Sequence, residues 1–172
     1  MSKILVNELA HTNDTTALTV DSTGRILTPA RPAFHVRYSA GSAAGIQGDI
    51  VFNEEDFDIG NNYDTSNGRF TAPVAGVYYF CFDSLVANDT SNSALGDGSN
   101  LKVRFHKNGS AGSFSQRSYY RVDGATQYNT IFRTDCIQLA ANDYIQVNVA
   151  EKYIYTDTTG NYDPTFQGFL LG

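Results

Sequence analysis

The sequence predicts an all-β fold, and three observations support that class. Apolar and polar residues alternate with the two-residue period of a strand from about residue 32 onward. Turn signals rich in Gly, Asn and Asp recur at roughly ten-residue spacing, as in sandwiches and barrels. The chain has 11 Tyr and 11 Phe with only 17% charged residues, a composition that argues against long helices and against disorder. Its 172 residues suit one domain with a small appendage.

The strands expected in the main domain are runs of β-branched and aromatic residues between those turns. The run at 77–86 is apolar in both phases of the alternation, so it is expected near the centre of a covered sheet. Asn67-Gly68 and Lys107-Asn108-Gly109-Ser110 are expected turns between strands. The full series of expected strands is 32–38, 48–53, 69–71, 77–86, 101–105, 114–122, 128–139, 144–149 and 165–171.

Residues 1–31 differ from the rest of the chain. Two short alternating pieces, 4–6 and 17–20, precede a turn at 21–24. The segment is too short and too thinly apolar to hold a core alone, so it must pack on the main domain or wind with other copies. We therefore divide the chain into 1–31 and 32–172. The start lacks the apolar run of a secretory signal, which favours synthesis in a reducing cytoplasm; a mature secreted fragment with a starter Met is the alternative.

Five motifs occur in order along residues 32–172. They are Pro32-Ala33-Phe34; Tyr63 with Gly68-Arg69-Phe70-Thr71-Ala72-Pro73 and Gly76-Val77-Tyr78-Tyr79-Phe80; Lys107-Asn108-Gly109; Leu139 with Asn142-Asp143; and Phe166-Gln167-Gly168-Phe169-Leu170-Leu171. Together they resemble the C1q-like globular head, which implies a ten-stranded jelly roll of the tumour-necrosis-factor superfamily and a tight homotrimer. The resemblance assigns to the core or the trimer interface the aromatic residues Phe34, Tyr79, Phe80, Phe166 and Phe169.

The N-terminal segment contains no Gly-X-Y collagen run. Residues 2–9 and 16–25 instead resemble the short β-stem of bacteriophage fibre and virion-decoration proteins. This resemblance implies a homotrimeric structural protein on the virion surface, made in the host cytoplasm and acting in particle stabilisation or host attachment. Contact with other virion proteins would be made by Ile4, Val6, Leu9, Leu18 and Val20. The alternative is a secreted C1q-like recognition lectin of a cellular organism.

The connections between strands suggest where a ligand would bind. Successive connections in an antiparallel series alternate between the two ends of a domain, so 72–76, 108–113 and 140–143 are expected at one end. The longer connections 87–100, 123–127 and 152–164 are then at the other end, where a host glycan or receptor contact is expected; freely varying solvated loops are the alternative. The candidate ligand-binding residues are Asp89, Asn92, Asp97, Asn100, Asp123, Asp157, Asn161 and Asp163.

No catalytic or cofactor pattern is present. The sequence has no G-x-S-x-G elbow and no Cys-His pairing, so we do not expect an enzyme. His11, His35 and His106 lie in separate elements without metal-ligand spacing, and each is expected to be half-exposed. Calcium could bind among the acidic loop residues Asp89, Asp97, Asp157 and Asp163. They lack the dense spacing of a calcium loop, which favours ordinary surface acids.

Charge, hydropathy and cysteine content indicate which partners and cross-links to expect. The net charge of −6 disfavours binding to nucleic acid. The sequence contains no run of 18 apolar residues, so we expect no insertion in a membrane. Cys81 and Cys136 lie on expected strands that a jelly roll would place side by side. Buried free thiols are preferred over a disulfide there, because the chain is expected to be made in a reducing compartment.

Overall fold

Fourteen β-strands form the regular structure of the residues that the computed structural model describes. These residues are 6–14, 16–39, 45–87, 100–111, 118–121, 128–155 and 163–172. The strands are β1 (Glu8–Ala10), β2 (Thr16–Val20), β3 (Ile26–Leu27), β4 (Ala33–Arg37), β5 (Gly45–Asp49), β6 (Glu54–Ile59), β7 (Tyr63–Asp64), β8 (Arg69–Thr71), β9 (Gly76–Ala87), β10 (Asn100–Lys107), β11 (Ser118–Arg121), β12 (Tyr128–Leu139), β13 (Tyr144–Tyr155) and β14 (Thr165–Leu170). The all-β prediction is confirmed. No helix in the described ranges is long and apolar enough to cross a membrane.

Strands β4 to β14 form two antiparallel sheets that enclose one core. The five-stranded sheet has the order β12-β9-β14-β4-β6. The six-stranded sheet has the order β11-β10-β13-β8-β7, with β5 paired to β13. This arrangement confirms the jelly-roll sandwich. The described residues from β4 onward contain eleven strands where ten were expected, because the short pieces β6 and β7 pair at the two sheet edges.

The expected strand at 48–53 is wrong in its bounds. β5 ends at Asp49, just after Gly48, whose φ of 87° lies in the left-handed region that favours glycine. Ile50 and Phe52 are fully buried although they lie outside a strand, so their alternation marks the core and not a sheet position. The next strand, β6, was missed because four of its six residues are acidic and hide the alternation.

Alternate residues of the central strands fill the core between the sheets. On β9, Tyr78, Phe80 and Phe82 are fully buried, as is Phe166 on β14. The rings of Phe34 and Phe70 stack across the two sheets with centroids 4.6 Å apart. Removing one such Phe side chain from water contributes about 1.5–3 kcal/mol, so these rings dominate the stability of the sandwich.

Three short connections meet at one end of the sandwich, which we call the compact end (residues 72–75, 107–110 and 140–143). The Ala72 amide donates to the Asp143 carbonyl at 2.8 Å, and the Asn142 amide donates to the Ala72 carbonyl at 2.8 Å. The Asn108 amide donates to the Tyr144 carbonyl at 3.0 Å. The prediction that these connections share one end is therefore confirmed for their described residues.

Both the entry and the exit of the main domain lie at the compact end. The Leu170 amide donates to the Pro32 carbonyl at 3.0 Å, and the Val77 amide donates to the Gly172 carbonyl at 3.2 Å. A guanidinium nitrogen of Arg31 donates to the Leu171 carbonyl at 2.8 Å. The segment that precedes β4 is thus hydrogen-bonded to the residues that follow β14.

The N-terminal residues form a small antiparallel sheet in the order β1-β2-β3. The turn between β2 and β3 is closed by Asp21, whose carboxylate accepts from the amides of Thr23 and Arg25. Val6 and Leu9 are exposed, and Leu18 and Val20 are half-buried. Ile4, the remaining proposed attachment residue, lies outside the described residues.

Candidate functional site

The solvent side of the five-stranded sheet carries several exposed apolar side chains, and we call it the outer sheet face. It consists of the residues that alternate with the buried ones along each strand. Phe132 is 67% exposed, Phe57 50% and Phe169 41%. The apolar members of this face are Ala33, Phe57, Ile59, Val77, Tyr79, Phe132 and Phe169. Contiguous exposed apolar surface of this kind marks an interaction site on a soluble domain.

Strand register joins four of these side chains into a continuous band, whereas Phe132 lies elsewhere on the same face, paired with Asp83. Tyr79 on β9 pairs with Phe169 on β14, which pairs with Ala33 on β4, which pairs with Ile59 on β6. The rings of Tyr79 and Phe169 lie with centroids 5.3 Å apart. Because directly paired residues project to the same side of a sheet, the band runs across four adjacent strands.

A charged cluster borders the band where β4 and β6 run away from the compact end. His35 Nδ1 lies 2.7 Å from Asp56 Oδ2, and Arg37 Nε lies 3.1 Å from Asp56 Oδ1. Arg37 also contacts Asp163 at 3.3 Å. The hydrogen bond from Arg37 is the largest of the effects that lower the pKa of Asp56. The cluster therefore holds fixed charges beside an apolar surface, as at the rim of an interface.

The two cysteines also lie on the outer sheet face, on the paired strands β9 and β12. The register pairs Cys81 with Thr134 and Cys136 with Tyr79, which confirms that the cysteine strands are neighbours. Both thiols are free. The expected burial is wrong for Cys136, which is exposed, because it alternates with the core residue Ile137. Cys81 is half-buried, and this desolvation raises the pKa of its thiol.

The histidines occupy three different environments. His11 is exposed in the N-terminal segment and His35 is half-buried. His106 is buried, which contradicts its expected half-exposure, because Asp49 and the neighbouring strand β13 cover it. Burial lowers the pKa of His106 most, and the nearby Asp49 opposes that effect. Within the described ranges, no group of three or more His, Cys, Asp and Glu side chains is arranged to hold a metal ion.

A second concave feature, which we call the polar cleft, opens along the side of the sandwich near the compact end. Its volume is 660 Å³. It is bounded by β6 on one side and by β7, the end of β8 and the connection at 72–75 on the other. Its lining includes Glu55, Asn61, Asn62, Thr65, Thr71 and Asn142. No lysine or arginine lines it, so the cleft combines neutral hydrogen-bonding groups with a weak negative charge.

The predicted ligand-binding residues are distributed unevenly over the described structure. Asp89, Asn92, Asp97, Asp123, Asp157 and Asn161 lie outside the described residues. Asn100 begins β10, where it pairs with Arg121 on β11. Asp163 is held by Arg37, with its side chain only 7% exposed.

The five aromatic residues assigned to the core or the trimer interface fall into two groups. Phe34, Phe80 and Phe166 are buried in the core, whereas Tyr79 and Phe169 project to the outer sheet face. The sequence assignment missed Phe57, Ile59, Val77 and Phe132. The two-residue alternation of a strand could have identified two of them. Phe132 follows the buried Ile131 and Val77 precedes the buried Tyr78, so both face away from the core.

Comparison with known proteins gives consistent matches. A model of the C1q domain matches residues 33–171. Caprin-2 of Danio rerio is 30% identical over 146 residues, which are 84% of this chain and 14% of that protein. Human Complement C1q tumor necrosis factor-related protein 3 is 30% identical over 122 residues, which are 71% of this chain and 44% of that protein. The chain thus spans less than half the length of these relatives.

A solved structure agrees with the fold. The Globular Domain of Zebrafish Complement 1qA protein superposes with a TM-score of 0.60 and 21% sequence identity. The match covers 83% of this chain and 98% of that domain. At this level of identity the likeness concerns the fold alone.

Proposed function

Because this chain belongs to the C1q domain family, we propose that it is a non-enzymatic recognition head that assembles as a homotrimer. The observation that carries the proposal is the outer sheet face, where an apolar band crosses four paired strands. Covering the outer sheet face with neighbouring protomers removes Phe57, Phe132 and Phe169 from water, at about 25 cal/mol for each Å² of apolar surface. A three-fold arrangement closes such a contact into a ring and leaves no open end.

Assembly is tested by measuring the mass of the full chain in solution by light scattering at micromolar concentration. We expect about three times the chain mass of 18.8 kDa. Phe132→Asp places a charge on the outer sheet face, opposite Asp83, and is expected to yield a folded monomer. Val74→Asp is the matched control, because Val74 is also exposed but lies in the connection at the compact end. A monomeric wild-type chain, or a Phe132→Asp variant that remains trimeric, contradicts the proposed interface.

The cellular reading is supported by the relatives described above, which are proteins of cellular organisms, one of them named as C1q tumor necrosis factor-related. They favour a cellular recognition protein over a virion component. In this proposal residues 32–172 are the head and residues 1–31 are a β-stem. Three heads on one stem bind a multivalent target at high effective concentration, so weak single contacts suffice. The glycan or receptor contact remains assigned to the loops opposite the compact end.

A virion decoration or fibre protein is the second candidate. The observation that favours it is the separate N-terminal sheet, which exposes Leu9 and Ile26 and follows the exposed Val6, with no Gly-X-Y run in residues 1–31. Exposed apolar residues on a small sheet suit docking to another protein. An antibody against the chain distinguishes the candidates when applied to fractions of a culture of the source. Labelling of purified virus particles supports the virion candidate, and labelling of free protein in the particle-free medium supports the cellular one.

A further inference from the structure

We infer that the polar cleft binds a neutral oligosaccharide. This inference goes beyond the proposed recognition head, because it places a ligand site on the side of the sandwich near the compact end and not in the opposite loops. The cleft is lined by one protomer and includes no apolar member of the outer sheet face. Its occupation therefore does not require the trimer.

The size and course of the cleft suit an extended ligand. Its 660 Å³ lies within the range of small-molecule sites in proteins. The lining begins at Glu55 on β6 and continues past the far end of that strand to Asn61 and Asn62. At the rise of a strand, Glu55 lies about 13 Å from Ile59 at the end of β6, so it is well separated from the lining residues Asn61 and Asn62 that follow that strand. A short chain of linked rings fits such a shape better than a single compact molecule.

The chemistry of the lining selects among ligand classes. Asn61, Asn142, Thr65 and Thr71 present amide and hydroxyl groups, which both donate and accept hydrogen bonds. Sugar hydroxyls do the same, so each can pair in either direction. Pro73 adds an exposed apolar ring at the end of the lining, against which the C–H groups of a sugar ring can pack.

Charged ligands and metal ions fit the lining less well. A phosphate or carboxylate would find no lysine or arginine there and would lie near Glu55. The other acidic residue, Asp64, already accepts hydrogen bonds from Ser66 and Asn67. The described residues also offer no cluster of three metal-binding side chains. The remaining ligand class is neutral and rich in hydroxyl groups.

The cleft is held open by hydrogen bonds that do not use its free polar groups. The Tyr63 amide donates to Asp58 Oδ2 at 2.7 Å, which joins the two edge strands β6 and β7. The Thr71 amide donates to the Asn62 carbonyl at 2.8 Å. In the described part of the chain, no hydrogen bond engages the side chains of Asn61, Thr71 or Asn142. The site is thus rigid in its backbone while its side chains remain free to bind, which keeps the ordering cost of binding low.

The test uses the full-length chain and ligand-observed saturation-transfer NMR. The probes are maltotriose, cellotriose and chitotriose as neutral trisaccharides, with trigalacturonate as the anionic counterpart. We expect saturable binding of at least one neutral trisaccharide, unchanged in EDTA, and weaker binding of trigalacturonate. Absence of all neutral binding, loss of binding in EDTA, or tighter binding of trigalacturonate would overturn the inference.

Substitutions locate the bound sugar. Thr71→Val removes a hydroxyl group at nearly constant volume, and Asn142→Asp replaces an amide by a charge at a position that keeps its left-handed backbone. Each is expected to lower the affinity for the neutral trisaccharide about three- to tenfold, which corresponds to one lost hydrogen bond. Thr28→Val makes the same change at an exposed threonine outside the cleft and should leave the affinity unchanged.

The outcome is separable from that of the trimer proposal. Binding that persists equally in Thr71→Val and Asn142→Asp places the sugar elsewhere and contradicts the inference. The Phe132→Asp variant should bind as the wild type does, because one protomer lines the cleft. Loss of binding in that variant, with the fold retained, also contradicts it.

Discussion

At the scale of single residues, Gly168 on β14 lies where the backbone and the core rings leave no room for a side chain. A Cβ atom at this position would lie 2.6 Å from Phe80 Cδ1, 2.8 Å from the Tyr79 carbonyl oxygen and 2.9 Å from Phe34 Cε1. Two of these contacts are to buried rings and one is to backbone, so none of the three groups can move away without disturbing the dense core. A side chain at position 168 therefore forces the rings of the core apart.

Gly168→Ala is expected to destabilise the chain by about 1–3 kcal/mol, as overpacking of a dense core does. Urea unfolding followed by circular dichroism measures the change. Gly172→Ala is the matched control, because nothing lies within 4 Å of the Cβ that it would add. Equal stability of the two variants would show that the core around Phe34 and Phe80 is loosely packed.

Asp143 stabilises the compact end, and its contribution to the free energy of unfolding depends on pH. Its carboxylate accepts from Lys107 Nζ at 2.7 Å, Asn108 Nδ2 at 2.7 Å and the Ala140 amide at 2.8 Å. These contacts, with that of Lys107 the largest, lower the pKa of Asp143 from 3.8 to about 2. One ionised side chain thus connects two of the three short connections.

The lowered pKa gives the sign of the pH dependence. The folded chain holds the Asp143 proton less tightly than the unfolded chain, so the stabilisation is complete above about pH 4 and is lost as the pH falls towards 2. Asp143→Asn should reduce stability by about 1–3 kcal/mol at neutral pH, with a smaller difference from wild type near pH 2. Urea unfolding at a series of pH values measures this. Asp14→Asn, an exposed site in the N-terminal segment, is the control; a difference that grows towards low pH contradicts the assignment.

At the scale of the elements, β14 is a central strand of the five-stranded sheet, so its loss disrupts both of its neighbours. It pairs with β4 on one side and with β9 on the other. Deleting residues 166–172 removes Phe166 from the core and leaves two strands without their shared partner. We expect no cooperative thermal transition by circular dichroism. The exposed substitution Leu171→Ser should retain one, and a truncated chain that melts cooperatively would contradict the role of β14.

The elements also show what could be predicted from the sequence. β12 was predicted with its observed bounds, and β9 within one residue at each end, because both combine length with many β-branched and aromatic residues. β6 was missed because acidic side chains are tolerated on an edge strand, where one backbone side stays unpaired. Edge positions depend on tertiary pairing, which local periodicity does not encode.

The candidate site was predicted less completely than the fold. Tyr79 and Phe169 were singled out together with Phe80 and Phe166, but the sequence alone did not show that the first two lie on the outer sheet face and the last two in the core. Phe57 and Phe132 were missed, because the residue type alone does not show whether a Phe on an edge strand is exposed or buried. The polar cleft lies between edge strands of two different sheets, so only the packed structure brings its lining together.

At the scale of the whole molecule, net charge opposes assembly while the outer sheet face favours it. Each chain has a charge of −6, so a trimer would have about −18. Salt screens this repulsion, and raising NaCl from about 0.02 to about 0.2 M should tighten the trimer. Sedimentation equilibrium at both salt concentrations measures the dissociation constant. Weaker association at the higher concentration would instead indicate that ion pairs between protomers, such as those of the Arg37 cluster, dominate the contact.

The position of the two termini determines how the head resists mechanical force. β4 begins at the compact end and is flanked along its length by β14 and β6. A pull on residue 31 against a load held at the opposite end acts along β4 and shears both rows of hydrogen bonds together, so many must break at once. A pull between residue 31 and Gly172 acts on two strands that meet at one end and opens their pairs one after another. A head anchored through its N-terminal segment and bound at its far end is therefore loaded in its mechanically strong direction.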